Sequence, residues 1–237
     1  MSKLVWDGTG NRKFEAGVED VAIFPMTGNT YGAGVAWNGI TAFNIQPQGG
    51  EANKYYADDI HYLTLYSAET TDFTVEAYTY PDEFKACNGE TSLTKGVVIG
   101  QQTRKAFGAA FVTLVGNDTE LQDHGKKLTL VYGCRVSPSE KGHSTINENL
   151  EPGTMSWSGT TTPIKVEGYK PTATVEIDST EVGDDAFQAV YDYVYGSENA
   201  DSTFPTPEKV VELVTEATPA TPATPAEPAE PAEPVEG

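Results

Sequence analysis

Residues 55–162 read as a succession of strands interrupted by one short helix, and that stretch limits what the rest of the chain can be. In 60–66 and 73–80, Leu63, Leu65, Phe73, Val75 and Ala77 fall on one face, and Tyr62, Thr64, Glu76 and Tyr78 on the other. This is the alternation of a half-buried antiparallel hairpin, closed here by an acidic turn. A short helix is expected at Pro81-Asp82-Glu83-Phe84-Lys85-Ala86-Cys87-Asn88-Gly89, where proline and acids open and Asn-Gly closes, with Phe84 and Cys87 facing the sheet. Residues 105–115 are apolar on both faces, Phe107, Ala109 and Phe111 against Ala110, Val112 and Leu114, as in a central strand covered on both sides. Gly116-Asn117-Asp118 turns this strand back into 127–136, and 155–162 and 172–177 supply two more.

Upstream, residues 4–43 alternate between frequent glycines, and turn chemistry at Pro25, Gly28-Asn29 and Asn38-Gly39 predicts two or three short strands. The pattern lapses over 46–59, which reads as a long loop carrying the aromatic pair Tyr55 and Tyr56. Such a loop either folds back on the body or contacts another chain. Downstream, Phe187, Val190, Tyr191 and Val194 take helical spacing behind Asp184 and Asp185, and a second helix follows Pro205-Thr206-Pro207. Both helices are expected on the sheet edge or on a neighbour. The fold class is therefore mainly β, an antiparallel sandwich or barrel over residues 1–216 with one short helix between strands and C-terminal helices. Residues 217–237 pass from Thr-Pro-Ala into Glu-Pro-Ala repeats with nothing large enough to build a core, and read as a solvated, extended tail.

Charge narrows the function. The net charge is −20, and only four of the carboxylates follow Ala217, so the acidity belongs to the folded part. Such a field repels nucleic acid and anionic membranes. The two cysteines, Cys87 and Cys134, give neither a disulfide framework nor metal spacing, and point to a reducing compartment. No signal-peptide order stands at Met1-Ser2-Lys3-Leu4-Val5-Trp6-Asp7, and no apolar run approaches the roughly 20 residues of a membrane span, so a soluble chain made without export is expected.

Catalytic chemistry finds little footing. His61, His124 and His143 lie in separate segments, and no serine or cysteine is framed as a nucleophile. Asp118, Glu120 and Asp123 crowd one stretch without the spacing or central glycine of a calcium loop, and read as a solvated acidic turn, as do Asp58 and Asp59. Gly32-Ala33-Gly34-Val35-Ala36-Trp37 opens like a dinucleotide fingerprint but has Trp37 in place of the third glycine, and reads as strand-turn glycine. No cofactor and no metal are expected, and the chain does not read as an enzyme.

Specific residues then carry a resemblance. Gly39-Ile40-Thr41-Ala42-Phe43-Asn44, Tyr56-Ala57-Asp58-Asp59, Glu76-Ala77-Tyr78-Thr79-Tyr80-Pro81-Asp82-Glu83-Phe84, Gly116-Asn117-Asp118-Thr119-Glu120 and Leu130-Val131-Tyr132-Gly133-Cys134 resemble segments of the phi13-type major tail proteins of long-tailed bacteriophages (siphoviruses). So do Ile99-Gly100-Gln101-Gln102, Asp123-His124-Gly125, Pro138-Ser139-Glu140-Lys141, Thr161-Thr162-Pro163 and Pro171-Thr172-Ala173-Thr174, in the same order from Val18 to Leu213. The resemblance implies a structural virion protein of the phage tail, assembled in the host cytoplasm. Its homo-hexameric rings would stack into a tail tube that carries double-stranded DNA without binding it specifically. It also implies the tape measure protein, the tail terminator and the distal tail protein as partners.

On that resemblance, residues 55–80 and 107–136 are expected among the inner or sheet-closing strands, with Glu69, Asp72 and Glu76 as candidate lumen carboxylates. Residues of the 46–59 stretch, Gln46, Gly50, Glu51, Lys54, Tyr55, Tyr56 and Asp58, are the candidates for contact between rings. The segment 217–237 departs from the resemblance. The competing reading is a secreted or surface β-sandwich that binds carbohydrate or a receptor.

Overall fold

The computed structural model describes residues 4, 6, 8–143, 145 and 152–218. The strands are β1 (Phe14–Thr27), β2 (Thr30–Tyr31), β3 (Val35–Ala36), β4 (Ile40–Gly49), β5 (Ala52–Ala57), β6 (Ile60–Tyr66) and β7 (Glu69–Ala77). After helix α1 (Phe84–Cys87) come β8 (Thr91–Thr94), β9 (Val97–Ile99), β10 (Phe107–Asn117), β11 (Leu121–Val136), β12 (Met155–Thr160) and β13 (Thr174–Asp178). Helices α2 (Ser179–Val182), α3 (Asp184–Tyr195) and α4 (Pro207–Ala217) end the described chain. The fold is mainly β and antiparallel, as the alternation predicted.

Three layers result. Strands β1, β10, β11 and β13 form one sheet, with β2 and β3 on its β1 edge. The end of β11, then β12, β7 and β4, form a second sheet laid over the first. Helices α3 and α4 cover the far side of the first sheet. Strand β10 is buried along its length because its neighbours alternate in the same way: Phe107, Ala109 and Phe111 enter the core between the sheets, and Ala110 and Val112 the core beneath the helices. The inter-sheet core is aromatic, with Phe73, Phe84, Phe107 and Trp157 closed to solvent and the Trp37 indole donating to the Thr79 carbonyl at 2.7 Å. Beneath the helices, Phe187, Val190, Val194 and Val210 meet Phe24, Leu128, Leu130 and Ile177.

Strand β11 belongs to both sheets, and Gly133 is the joint. Before it, Leu128, Leu130 and Tyr132 face the helices; after it, Cys134 and Val136 face the inter-sheet core, so the strand's sides are exchanged across one residue. Gly133 has φ +59°, a conformation in which a Cβ atom would stand 2.6 Å from the Thr162 carbonyl oxygen. Only glycine fits there without strain.

The helices begin where the sequence predicts. The Thr206 side chain accepts from the Lys209 amide at 3.3 Å, with Pro207 as the first helical residue, and Asp184 and Asp185 occupy the first turn of α3. They lie on the face of the first sheet instead of its edge, because their apolar stripe matches the row Phe24, Leu128 and Leu130 that β1 and β11 present there. Helix α4 runs through Ala217, so the expected tail starts later than residue 217; residues 219–237 lie outside the described residues.

Two expectations are corrected. The strands β6 and β7 do not form a hairpin: β6 pairs with β5, and β7 pairs with β4 and β12. Residues 69–72 are strand and not turn, ending in a Thr71 carbonyl that accepts from the Thr161 amide and hydroxyl. Leu63 and Leu65 are accordingly exposed, whereas Phe73, Val75 and Ala77 are buried as expected. The strand also stops at Ala77, short of Tyr80.

One ion pair ties the first sheet together. Glu15 on β1 accepts from Lys127 Nζ on β11 at 2.6 Å and from the Thr113 hydroxyl on β10 at 2.7 Å. Lys127 first, and then Thr113, hold the Glu15 carboxyl below its ordinary value of 4.5. A depressed carboxyl contributes stability above the unfolded-state pKa and loses it as pH falls through the folded-state pKa. Glu15→Gln is therefore expected to cost about 0.5–1 kcal/mol at pH 7, typical of a partly exposed pair. The difference from wild type should close as the medium is acidified below the usual carboxylate range, which thermal unfolding of both proteins from pH 7 to pH 3 measures.

Candidate functional site: a polar sheet face and a β arm

The outer side of the second sheet is the side its core does not use. Along β7, Phe73, Val75 and Ala77 are buried, and Asp72, Thr74 and Glu76 between them point outward and remain half-buried. Their cross-strand partners are Gln46, Asn44 and Ala42 on β4, and Thr160, Ser158 and Ser156 on β12. The exposed Arg135, opposite Thr160, is the basic residue at its β11 margin. No large apolar side chain stands in this register, so the face is low, hydrogen-bonding and acidic at two points. Strand β4 forms its outer edge and pairs on one side only.

Of the three carboxylates singled out from the sequence, Asp72 and Glu76 share this face. Glu69 does not: the β4–β7 register is regular between residues 69 and 76, so alternation puts Glu69 on the side of Phe73 and Val75, at an exposed margin. Of the two places expected for residues 107–136, among inner strands or sheet-closing strands, the central position of β10 and the passage of β11 between both sheets fit the second. Both faces of β10 are covered within the chain, by the second sheet and by the helices, and neither is open to a lumen.

The stretch 46–59 is not a loop. Gln46 lies in β4, Gly50 and Glu51 form a waist, Lys54, Tyr55 and Tyr56 lie in β5, and Asp58 is at the tip of a two-stranded arm made of β5 and β6. The tip is Asp58-Asp59, with φ +52° and +58°, the left-handed pair of a type I′ turn, which suits the right-handed twist of a ribbon. At the waist, Gly49 and Gly50 have φ +82° and +67°, and a Cβ on Gly49 would collide with the Ala68 carbonyl oxygen. The Glu51 amide donates to the Ser67 hydroxyl at 2.9 Å, and the Ser67 amide to the Glu51 carbonyl at 3.0 Å. The arm is thus a ribbon continuing β4 and β7 beyond the body.

Its side chains are unusually apolar for a projecting element. Tyr55, Leu63 and Leu65 share one side through the Tyr55–Leu63 and Asn53–Leu65 pairs, and Tyr56, Ile60, Tyr62 and Tyr66 are each more than 60% exposed. A second small ribbon, β8 and β9, exposes Leu93, Val97, Val98 and Ile99 around the turn at Lys95-Gly96. Sequence reading missed this ribbon, although a two-residue turn ending in glycine between threonine- and valine-rich runs was the available signal.

The acidic stretch 118–123 is organised by its own hydrogen bonds. Asp118 accepts from the Gly10 amide at 2.8 Å, and Glu120 from His124 Nδ1 at 2.6 Å. Among the described residues no group of three or more histidine, cysteine, aspartate or glutamate side chains is placed to hold a metal ion, and no helix is long and apolar enough to cross a membrane. Cys87 and Cys134 are buried free thiols, and burial pushes the Cys87 thiol up to about 11. Compared with known proteins, the chain matches no protein-family model and no curated protein.

Proposed function

We propose that the chain is the major subunit of a phage tail tube, a structural protein whose rings stack around a channel for double-stranded DNA. The observation that supports this most directly is the outer face of the second sheet, a surface mainly of serine, threonine, asparagine and glutamine with Asp72 and Glu76 as its carboxylates and Arg135 at its margin. A receptor-binding sheet would be expected to present aromatic groups or several forked cations, whereas the outward register from Asp72 to Glu76 carries no aromatic side chain and Arg135 stands at its margin. A surface past which a polyanion must move benefits from short side chains and fixed negative charge, which keep phosphates from adhering. The unpaired edge of β4 gives the sheet a place to continue into a neighbouring copy, and ring closure removes such edges altogether. The arm supplies an apolar contact out of the ring's own plane. In this reading Asp72 and Glu76 face the lumen, Glu69 does not, and Tyr55, Tyr56 and Lys54 lie in the contact between rings. The tape measure protein runs through the tube, and the terminator and distal tail proteins close its ends.

Negative-stain microscopy of the purified full chain tests this. Rings or tubes with an open centre are expected at high protein concentration. They should be favoured by raising salt from about 0.1 M to about 1 M, which shortens the screening length from ~10 Å to ~3 Å and relieves repulsion among subunits of charge −20. A protein that stays monomeric at every concentration and ionic strength would sink the proposal.

A further inference from the structure

A groove of about 610 Å³ runs between β13 and α4, built from none of the residues of the surfaces just described. Val175 of β13, Val182 of α2 and Val210, Val211 and Val214 of α4 line it. Val211 is 65% exposed, outside the stripe by which α4 packs on the sheet. Strand β13 pairs with β11 alone, so its other edge is unpaired beside the groove. Glu176, Asp178 and Glu181 form the charged part of the lining, with Lys170 the cation beside them, and Glu176 and Glu181 are exposed. A groove that is lined by valines and is also acidic suits an apolar segment carrying positive charge.

Charge selects the occupant. Two ribbons expose apolar side chains, and their tips differ in sign: Asp58-Asp59 on β5–β6, Lys95-Gly96 on β8–β9. The segment 219–237 carries four glutamates and no base, so the groove repels it as it repels the β5–β6 tip. The β8–β9 ribbon meets both requirements. Residues 91–103 are all exposed, so this ribbon stands off the body. The pairs Thr91–Ile99 and Thr94–Val97 put Val97 and Ile99 on one side of it. Residues 85–105 hold four cations, Lys85, Lys95, Arg104 and Lys105, against Glu90 alone, a net +3 in a chain of −20. Among the described residues Lys95 makes no ion pair within its own chain.

We propose that this groove receives the β8–β9 ribbon of a second copy, with Val97 and Ile99 against the valines and Lys95 against Glu176 and Glu181. Ribbon and groove are different surfaces, so the contact is heterologous: a bound pair keeps one of each free, and association runs on into a ring or a filament instead of stopping at two copies. The inference rests on the self-association of the proposed function and adds the two surfaces that meet.

The test is sedimentation and negative-stain microscopy of the full chain at the lowest ionic strength at which wild type associates, where a close charge pair is least screened. Lys95→Glu and Glu181→Lys alter exposed side chains, so both variants should fold. Each is expected to weaken association about tenfold, by losing an opposite-charge contact and gaining a like-charge one, and the two combined in one chain should recover most of the loss. Val97→Ser together with Ile99→Ser should weaken it about tenfold or more through lost apolar contact. The proposal is overturned if the single reversals associate as wild type does, or if the double reversal restores nothing; in the first case, stronger association after removal of residues 219–237 would give the groove to that segment. Open-centred rings that persist through the reversals would leave the tube standing without this contact. Reversal-sensitive particles without an open centre would keep the contact and sink the tube, and a chain that is monomeric at every ionic strength overturns both.

Discussion

Replacing residues 50–68 by a two-residue Asn-Gly turn is expected to give a protein that folds as the wild type does but cannot form the proposed stacked tubes. Strands β5 and β6 form a separate two-stranded sheet, so their removal takes no strand from either sheet of the body. Gly49 and Glu69 are the last β4–β7 pair before the waist, and an Asn-Gly type I′ turn closes a hairpin at such a pair. Stability should therefore change by about 0.5 kcal/mol or less, as for surface changes away from the core. Assembly should change far more. A lone two-stranded ribbon is marginal in water, and this one exposes Tyr56, Ile60, Tyr62 and Tyr66 beside the Tyr55, Leu63 and Leu65 side. Covering these side chains against another copy would provide much of the contact between rings. Thermal unfolding, sedimentation and microscopy of the truncated protein measure both halves of the expectation. Tubes indistinguishable from wild type would remove the arm from the assembly contact, and a cooperative loss of folding would show that it belongs to the body.

The same arm marks where sequence reading fell short, and for a physical reason. Alternation is legible only where one face of a strand is dry. The doubly covered β10 and the apolar stripes of α3 and α4 were readable because burial imposes a period on them. Strand β5, wet on both sides, has no such period, and Gln-Pro-Gln-Gly-Gly-Glu looked like a loop. The Asp58-Asp59 turn was visible as an acidic turn, but not as the hairpin tip that pairs β5 with β6. Placing the turn instead at residues 67–72 produced the wrong hairpin, and with it the grouping of Glu69 with Asp72 and Glu76. Once β7 is known to run from Glu69, the period of two separates Glu69 from the other carboxylates. The exchange of sides at Gly133 lies beyond any local pattern, because it depends on β11 leaving one sheet for another.

Trp157→Ala is expected to destabilise the fold by about 3–5 kcal/mol, the cost of truncating a large aromatic side chain in a packed core. For a domain of this size that corresponds to a fall in melting temperature of roughly 6–20 °C. Trp157 is 2% exposed and meets Trp37, Tyr80 and Phe84 at ring-centroid distances of 5.4–5.5 Å. These rings come from three segments of the chain, so the cavity left by truncation has walls on several elements and little freedom to collapse. Tyr62→Ala, at an exposed position on the arm, serves as the control and should leave the melting temperature nearly unchanged. A loss below about 1 kcal/mol at Trp157 would mean that the second sheet does not rest on the first through this side chain. The consequence reaches the outer face, because Ser156 and Ser158 are the neighbours of Trp157 on β12 and are held outward by its insertion inward. If the proposed tube forms, any variant that survives folding should therefore assemble less regularly than wild type, even though no residue on the polar surface has been altered.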